Sequence, residues 1–291
     1  MRKSFFQNTI ALVYDFDGTL SPQPMQEYTV LPKIGVKPAD FWASVNREAR
    51  DTESDMMLVY MRHIIEALER ERVDVKRADF ARMARAIEYF PGVPAWFPRM
   101  NAYVKRRSGG HVKIAHYLIS AGQKEILEGI SIRRHFRRIY ASEYYFNHHG
   151  VATFPKLLVT DTLKTQFLFR INKGREAITE SINEHMPERE RPIPFQNIIY
   201  VGDGMSDVPS MALTKKSGGH AVAVYDTRKN GGQASCAELL RAGRVDFIAE
   251  ADYRKASKLT KRVELLLDAI IANIAYNREA YDCVMENAPK R

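Results

Sequence analysis

Cysteine is nearly absent. The 291 residues include two, Cys236 and Cys283, which is no basis for a disulfide framework and lacks the spacing of a zinc site. A reducing compartment fits that usage. Long apolar runs are also missing: none approaches the ~20 residues of a membrane-spanning helix. The opening stretch Met1 to Thr9 has basic residues but no apolar leader segment. The expectation is a cytoplasmic protein that does not span a membrane. Internal repeats and low-complexity tracts are lacking too. Acids are the scarcer charge, 35 against 44 Lys and Arg, for a formal net charge of +9. That excess is compatible with a nucleic-acid partner, an anionic small substrate or a soluble surface. It is concentrated between Arg99 and Arg138, whereas acids and bases roughly balance from Pro22 to Phe90. What remains is ordinary globular usage, 45% hydrophobic and 27% charged, enough for one large domain or two smaller ones.

The chain is organised around Ile10-Ala-Leu-Val-Tyr-Asp15-Phe-Asp17-Gly18-Thr19-Leu20. Ile10 to Tyr14 is too short for an independent helix, rich in β-formers and stopped by Gly18, so it predicts a buried parallel strand. Asp15 and Asp17 follow two apart. If the extended conformation persists, both side chains point the same way and their charges repel. Relief requires a cation, hydrogen-bond donors or a shifted pKa. Read alone, the stretch is also compatible with a strand end and a simple Asp-Gly turn.

Ser21-Pro-Gln-Pro24 excludes a helix start directly after Leu20. Helical spacing then appears three times: from Pro38 to about Arg50, from a Ser54 cap through Met57, Met61, Ile64 and Leu68, and from about Lys76 to Tyr89. Pro91-Gly92 closes this all-helical block. After it the pattern alternates. Val93 to Arg107 reads as helix, His111 to Ile119 as strand, and Gln123 to Glu128 as helix. A short strand at Arg138 to Ala141 and a hairpin bent at Asn147-His-His-Gly150 follow. Lys173-Gly174 is expected to open a helix reaching about Met186. Asn197 to Val201 is a second apolar strand running into Gly202-Asp203-Gly204-Met-Ser-Asp207, with Ser206 or Asp207 capping the next helix. His220 to Tyr225 and Val245 to Ile248 read as strands, and Arg254 to Tyr276 as a closing helix.

This alternation predicts an α/β fold: a Rossmann-like, three-layer core with a mostly parallel sheet, and a small all-helical domain inserted after the first strand. The expected division is 1–20 and 91–291 for the core and 21–90 for the insertion. In such sheets ligands sit beyond the carboxyl ends of the strands. Strand ends carrying Asp15 and Asp17, then Ser120, then Asp203 and Asp207 should therefore face one crevice, with Lys173 in reach.

Asp15-Phe-Asp17-Gly18-Thr19, Ser120, Lys173 and Gly202-Asp203-Gly204-Met-Ser-Asp207, in this order and context, resemble the motifs of the haloacid dehalogenase superfamily. The helical insertion resembles the C1 cap of its phosphoserine-phosphatase-like members. The resemblance implies a Mg2+-dependent phosphatase acting on a small phosphorylated metabolite through an aspartyl-phosphate. Asp15 would be the nucleophile and Asp17 the general acid and base. Asp15, the Asp17 carbonyl, Asp203 and Asp207 would hold Mg2+. Gly18 would allow close backbone approach, and Ser120 and Lys173 would contact the phosphate, with Lys164 as the rival lysine.

The dehalogenase branch is disfavoured, because a halide leaves without a proton. Phosphoserine is unsupported as substrate, since Ser21-Pro-Gln-Pro24 stands where those enzymes carry an acidic contact. Met25, Glu27 and Tyr28 are candidates for substrate contact at the cap mouth. His148 and His149 read as exposed hairpin residues. The run Arg133 to Arg138 reads as a solvated helix face, so nucleic acid is not favoured as a partner. Transfer to an acceptor other than water, and a nucleic-acid-binding scaffold, are the alternative functions. Oligomeric state has no signature in the sequence.

Overall fold

The computed structural model describes residues 5–72 and 75–287. Residues 1–4, part of the opening stretch considered above, lie outside them. Seven strands form one sheet in the order β4-β3-β2-β1-β5-β6-β7. They are β1 Thr9–Tyr14, β2 Lys113–Gln123, β3 Phe136–Phe146, β4 Ala152–Leu157, β5 Ile198–Gly202, β6 His220–Tyr225 and β7 Phe247–Glu250. All neighbours are parallel except β3 and β4, the expected hairpin. Ile10 to Tyr14 are wholly buried. An uninterrupted apolar strand suits the centre of a sheet covered on both faces.

The helices are α1 Met25–Tyr28, α2 Val30–Lys33, α3 Pro38–Asp51, α4 Met56–Arg70, α5 Arg77–Met83, α6 Val93–Arg107, α7 Lys124–Leu127, α8 Lys164–Lys173, α9 Val208–Lys216, α10 Gly232–Arg241 and α11 Lys258–Glu286. Alternation along the strands divides them between the two faces. Ala11, Val13, Ile119 and Tyr200 share a buried cluster with α8, α9 and α10. Ile10, Leu12, Tyr14 and Val201 share another with α6 and α11, and this second cluster runs on without a break into α3, α4 and α5. The chain enters and leaves the inserted helices at one point, where Phe90 N donates to Leu20 O at 3.0 Å.

Several local expectations are corrected. The cap of α4 is Asp55, whose carboxylate accepts from Met57 N and Leu58 N at 2.8 and 3.3 Å. Ser54 instead accepts from the Thr52 hydroxyl. The third cap helix stops at Met83 and gives way to a 3-10 turn over Ala84–Ala86. No helix runs from Lys173 to Met186. Lys173-Gly174 ends α8 instead: Gly174 has φ +65° and its N–H bonds Ile171 O, the usual function of a glycine past a helix end. The basic run is a 3-10 turn, Arg133–His135, leading into β3, not a helix face.

Candidate active site

The sheet reverses its winding at β1, with β2 on one side and β5 on the other, so a crevice opens beyond their carboxyl ends. Asp15 continues the ladder past β1, its N–H donating to Val201 O at 2.9 Å. The chain then turns tightly at Gly18, where φ is +80°. A Cβ there would lie 2.0 Å from Asp203 Oδ2, and one on Gly202 would lie 2.2 Å from Asp207 Oδ2. Both glycines therefore let backbone and carboxylates share a space that any side chain would fill.

One carboxylate oxygen from each of Asp15, Asp203 and Asp207 lies within 4.8 Å of the others. Asp207 is fully buried and Asp15 is 4% exposed. Burial pushes Asp15 up to about 7, with Lys164 opposing and Asp207 adding to the rise. Burial, then Asp207 and Asp15, push Asp203 up to about 8. Asp207 Oδ1 accepts from Tyr200 OH at 2.7 Å, and its Oδ2 accepts from Asp203 N at 3.1 Å. Asp207 stands at the start of α9 but spends its oxygens here, with no side-chain cap on the helix.

The lysine of this cluster is Lys164. Its ammonium, 1% exposed, bridges Asp15 Oδ1 at 2.9 Å and Asp207 Oδ1 at 2.8 Å. Burial opposes its charge, but the two carboxylates hold it well above the ordinary lysine value. Lys173, the residue expected here, donates to the carbonyls of Ile182 and Glu184 at 2.6 and 2.7 Å. The helix start expected at Lys173 lies instead at Lys164, the other end of α8. Lys164 is its first residue and Lys173 its last, separated along the axis by about 13 Å at the usual helical rise.

Asp17 does not simply share the direction of Asp15. The strand ends before it, and its Oδ1 accepts from Met25 N at 2.8 Å. Burial, then Asp15, raise its pKa well above the ordinary value. Ser120, 1% exposed at the carboxyl-end half of β2, accepts from Gly122 N at 3.0 Å. The turn that this bond makes keeps its oxygen in place without occupying its hydroxyl proton. Met25 spans the two, its N–H on Asp17 and its methyl against Gly122. Gln26 is 3% exposed beside it, and Tyr60 of α4 donates to Ala121 O at 3.1 Å. The inserted helices thus lie closed over the carboxylates.

Glu27 accepts from Trp42 Nε1 at 3.0 Å within the inserted helices, and Tyr28 is half-buried. His148 and His149 stand at the hairpin tip, their rings 3.8 Å apart and tilted by 45°. In the basic stretch, Arg107 pairs with Asp268, Arg133 with Glu128 and Arg137 with Glu176, which reduces the field it presents.

A family model described as haloacid dehalogenase-like hydrolase matches residues 12–212, a span that includes the end of β1, Asp15, Asp17, Ser120, Lys164 and the Asp203 to Asp207 loop. The chain belongs to the haloacid dehalogenase-like hydrolases. It is similar to an uncharacterized protein of Borreliella burgdorferi, 28% identical over 280 residues, with 87% of this chain and 94% of that protein covered. Its fold is similar to that of a HAD family hydrolase from Salmonella enterica serovar Typhi, at a TM-score of 0.58 and 14% identity, covering 89% of this chain and 71% of the other. It is also similar to a phosphoserine phosphatase holding a phospho-aspartyl intermediate analogue, at a TM-score of 0.54 and 15% identity, covering 89% of this chain and 99% of that one.

In this hydrolase the donor set fits a hard divalent cation. Three carboxylate oxygens converge around the buried Lys164 ammonium, and all-oxygen sets of this kind suit Mg2+. Tyr200 was not anticipated. Its hydroxyl is tied to Asp207, but in sequence it is one more apolar strand residue, with nothing to mark its polar end as aimed at the site.

Proposed function

We propose that the protein is a Mg2+-dependent phosphatase that hydrolyses a small phosphate monoester through a phosphorylated Asp15. The observation that supports this most is the Lys164 bridge from Asp15 to Asp207, with Asp203 alongside. It supports the reading because a carboxylate suited to attack, a buried cation and a metal-compatible carboxylate set lie side by side. The fold shared with phosphoserine phosphatase agrees with a phosphoryl-transfer reading.

In this reading an oxygen of Asp15 attacks phosphorus in line, forming the acyl phosphate. Asp17, whose pKa is raised by burial and by Asp15, holds the proton that the departing alkoxide needs and later takes one from water. Asp15, Asp203, Asp207 and the Asp17 carbonyl would hold Mg2+, which when bound neutralises phosphoryl charge and keeps Asp15 ionised. Lys164 supplies fixed positive charge beside the nucleophile, Ser120 donates to a phosphoryl oxygen, and Gly18 leaves room for both. Residues 21–90 act as the cap on a core of 1–20 and 91–291, with Met25 at its mouth. The enzyme works in the cytoplasm, consistent with two free cysteines and with no helix among the described residues long and apolar enough to cross a membrane. Its substrate is a small phosphorylated metabolite. Transfer to an acceptor other than water draws on the same burial, since 4% exposure at Asp15 limits water's access.

The test is release of inorganic phosphate from an aryl phosphate with and without Mg2+. Asp15→Asn should abolish turnover while the protein stays folded, and Asp17→Ala should trap a phosphoenzyme or lose activity. Parent-level hydrolysis by Asp15→Asn would remove Asp15 as nucleophile.

A further inference from the structure

We propose that the foot of the sheet, at the amino ends of β1 to β3 and away from the proposed catalytic site, holds a second anion site that takes a small phosphorylated polyanion of the pyrophosphate type. A cavity of about 330 Å³ opens there, lined by Asn101, Lys113, His116, Arg134, His135 and Arg137 among others, and no acidic residue lines it. The basic run Arg133 to Arg138 supplies three of these side chains.

The surrounding contacts leave the cavity's cations available. Among the described residues Lys113 and Arg134 form no ion pair, and both are exposed. Arg137 is the exception, pairing with Glu176 at 2.9 Å. That carboxylate already accepts from Tyr117 OH at 2.8 Å. His135 is held in place by stacking on Phe97, with ring centroids 5.0 Å apart and planes 10° from parallel. Positive charge on Lys113 and Arg134 that no ion pair neutralises among the described residues favours an anion that can meet several donors at once. The volume suits a small molecule rather than a duplex.

A buried chain of hydrogen bonds fixes the inner wall. Trp96 Nε1 can only donate, and it meets Tyr14 OH at 2.8 Å. Tyr14 OH lies 3.1 Å from His116 Nδ1, and His116 Nε2 lies 2.9 Å from Asn101 Oδ1. With Tyr14 donating onward, His116 must carry its proton on Nε2 and give it to Asn101. That leaves the Asn101 amide nitrogen as a further donor for the cavity. The same chain connects the cavity wall to a tryptophan, so an anion that draws on Asn101 should alter the surroundings of Trp96.

The test uses Trp42→Phe protein, which keeps Trp96 as its only tryptophan. It is titrated with inorganic pyrophosphate in magnesium-free buffer containing chelator, with Trp96 fluorescence and calorimetry as readouts. A saturable change is expected. Lys113→Gln with Arg134→Gln should weaken it by about tenfold or more, since charge-assisted hydrogen bonds are the strong ones. Phosphatase turnover without pyrophosphate should stay at the parent level, because neither residue belongs to the proposed catalytic machinery. Ser120→Ala, which alters the proposed catalytic pocket, should leave the fluorescence response intact. Absence of a saturable response, an equal response in the double variant, loss of the response in Ser120→Ala, or binding of an oligonucleotide without any pyrophosphate response would each overturn the proposal.

Discussion

Replacing Lys164 by Met tests the electrostatic centre of the molecule. The two side chains have similar length, so the change removes a charge with little loss of packing. Lys164 is 1% exposed and carries two carboxylate contacts of 2.9 and 2.8 Å, so solvent screening gives it little relief. Removing one partner of a buried ion pair costs about 3–5 kcal/mol, because the other charge is left uncompensated. In a chain of this size that lowers the melting temperature by roughly 5–8 °C. Lys173→Met removes two hydrogen bonds to carbonyls at the partly exposed end of α8, worth about 1–3 kcal/mol together. Turnover should separate the pair further. Lys164→Met is expected to lose activity by roughly two to three orders of magnitude, as when one preorganised charge-stabilising group is removed. Lys173→Met should retain it. Thermal melts and phosphate-release rates on the two variants check both parts. The reasoning fails if Lys164→Met melts with the parent protein, or if turnover is lost in Lys173→Met and kept in Lys164→Met.

Three other outcomes are expected. Mg2+ at about one hundred times its Kd should stabilise the folded protein by about 2.7 kcal/mol, read as a rise in melting temperature that chelator reverses; no rise would argue against the Asp15, Asp203 and Asp207 set. Gly18→Ala should abolish that Mg2+ response and most activity, because its Cβ would fall 2.0 Å from Asp203 Oδ2 at a φ of +80°; unaltered magnesium affinity would show that the close approach is dispensable. His116 is pushed down to about 3 from an ordinary 6.5, by burial and then by His135. The unfolded chain therefore binds a proton in that interval that the folded one refuses. The His116 contribution is whole above pH 6.5 and is lost as pH falls toward 3, by roughly 3 kcal/mol at pH 4. His116→Gln should flatten this part of the acid limb in urea unfolding, and an equally steep limb would assign the acid sensitivity elsewhere.

Much of the architecture could be read in one dimension because burial on both faces demands an uninterrupted apolar strand. Ile10 to Tyr14, Asn197 to Val201 and His220 to Tyr225 carry that signature, and the observed strands lie within a residue of it. Other elements left weaker marks. The four-residue helices α1 and α2 are shorter than any periodic pattern can reveal, and α10 carries only Cys236 and Leu239 fully inside. Asp203 and Asp207 were legible as candidates because acids and glycines after a buried strand have few structural uses.

By itself, then, the sequence determined which strands are central and which acids end them, since those choices rest on local hydrophobicity and turn chemistry. Which cation meets the acids was decided only in three dimensions. Lys164 and Lys173 stand at opposite ends of one helix. Packing of Phe167, Leu168 and Ile171 against the sheet directs the first end to Asp15 and Asp207 and the second to the carbonyls of Ile182 and Glu184. The same holds for the fate of Asp17 and for the cationic cavity at the foot of the sheet. Each depends on residues far apart in the chain, brought together by burial that no short window of sequence records.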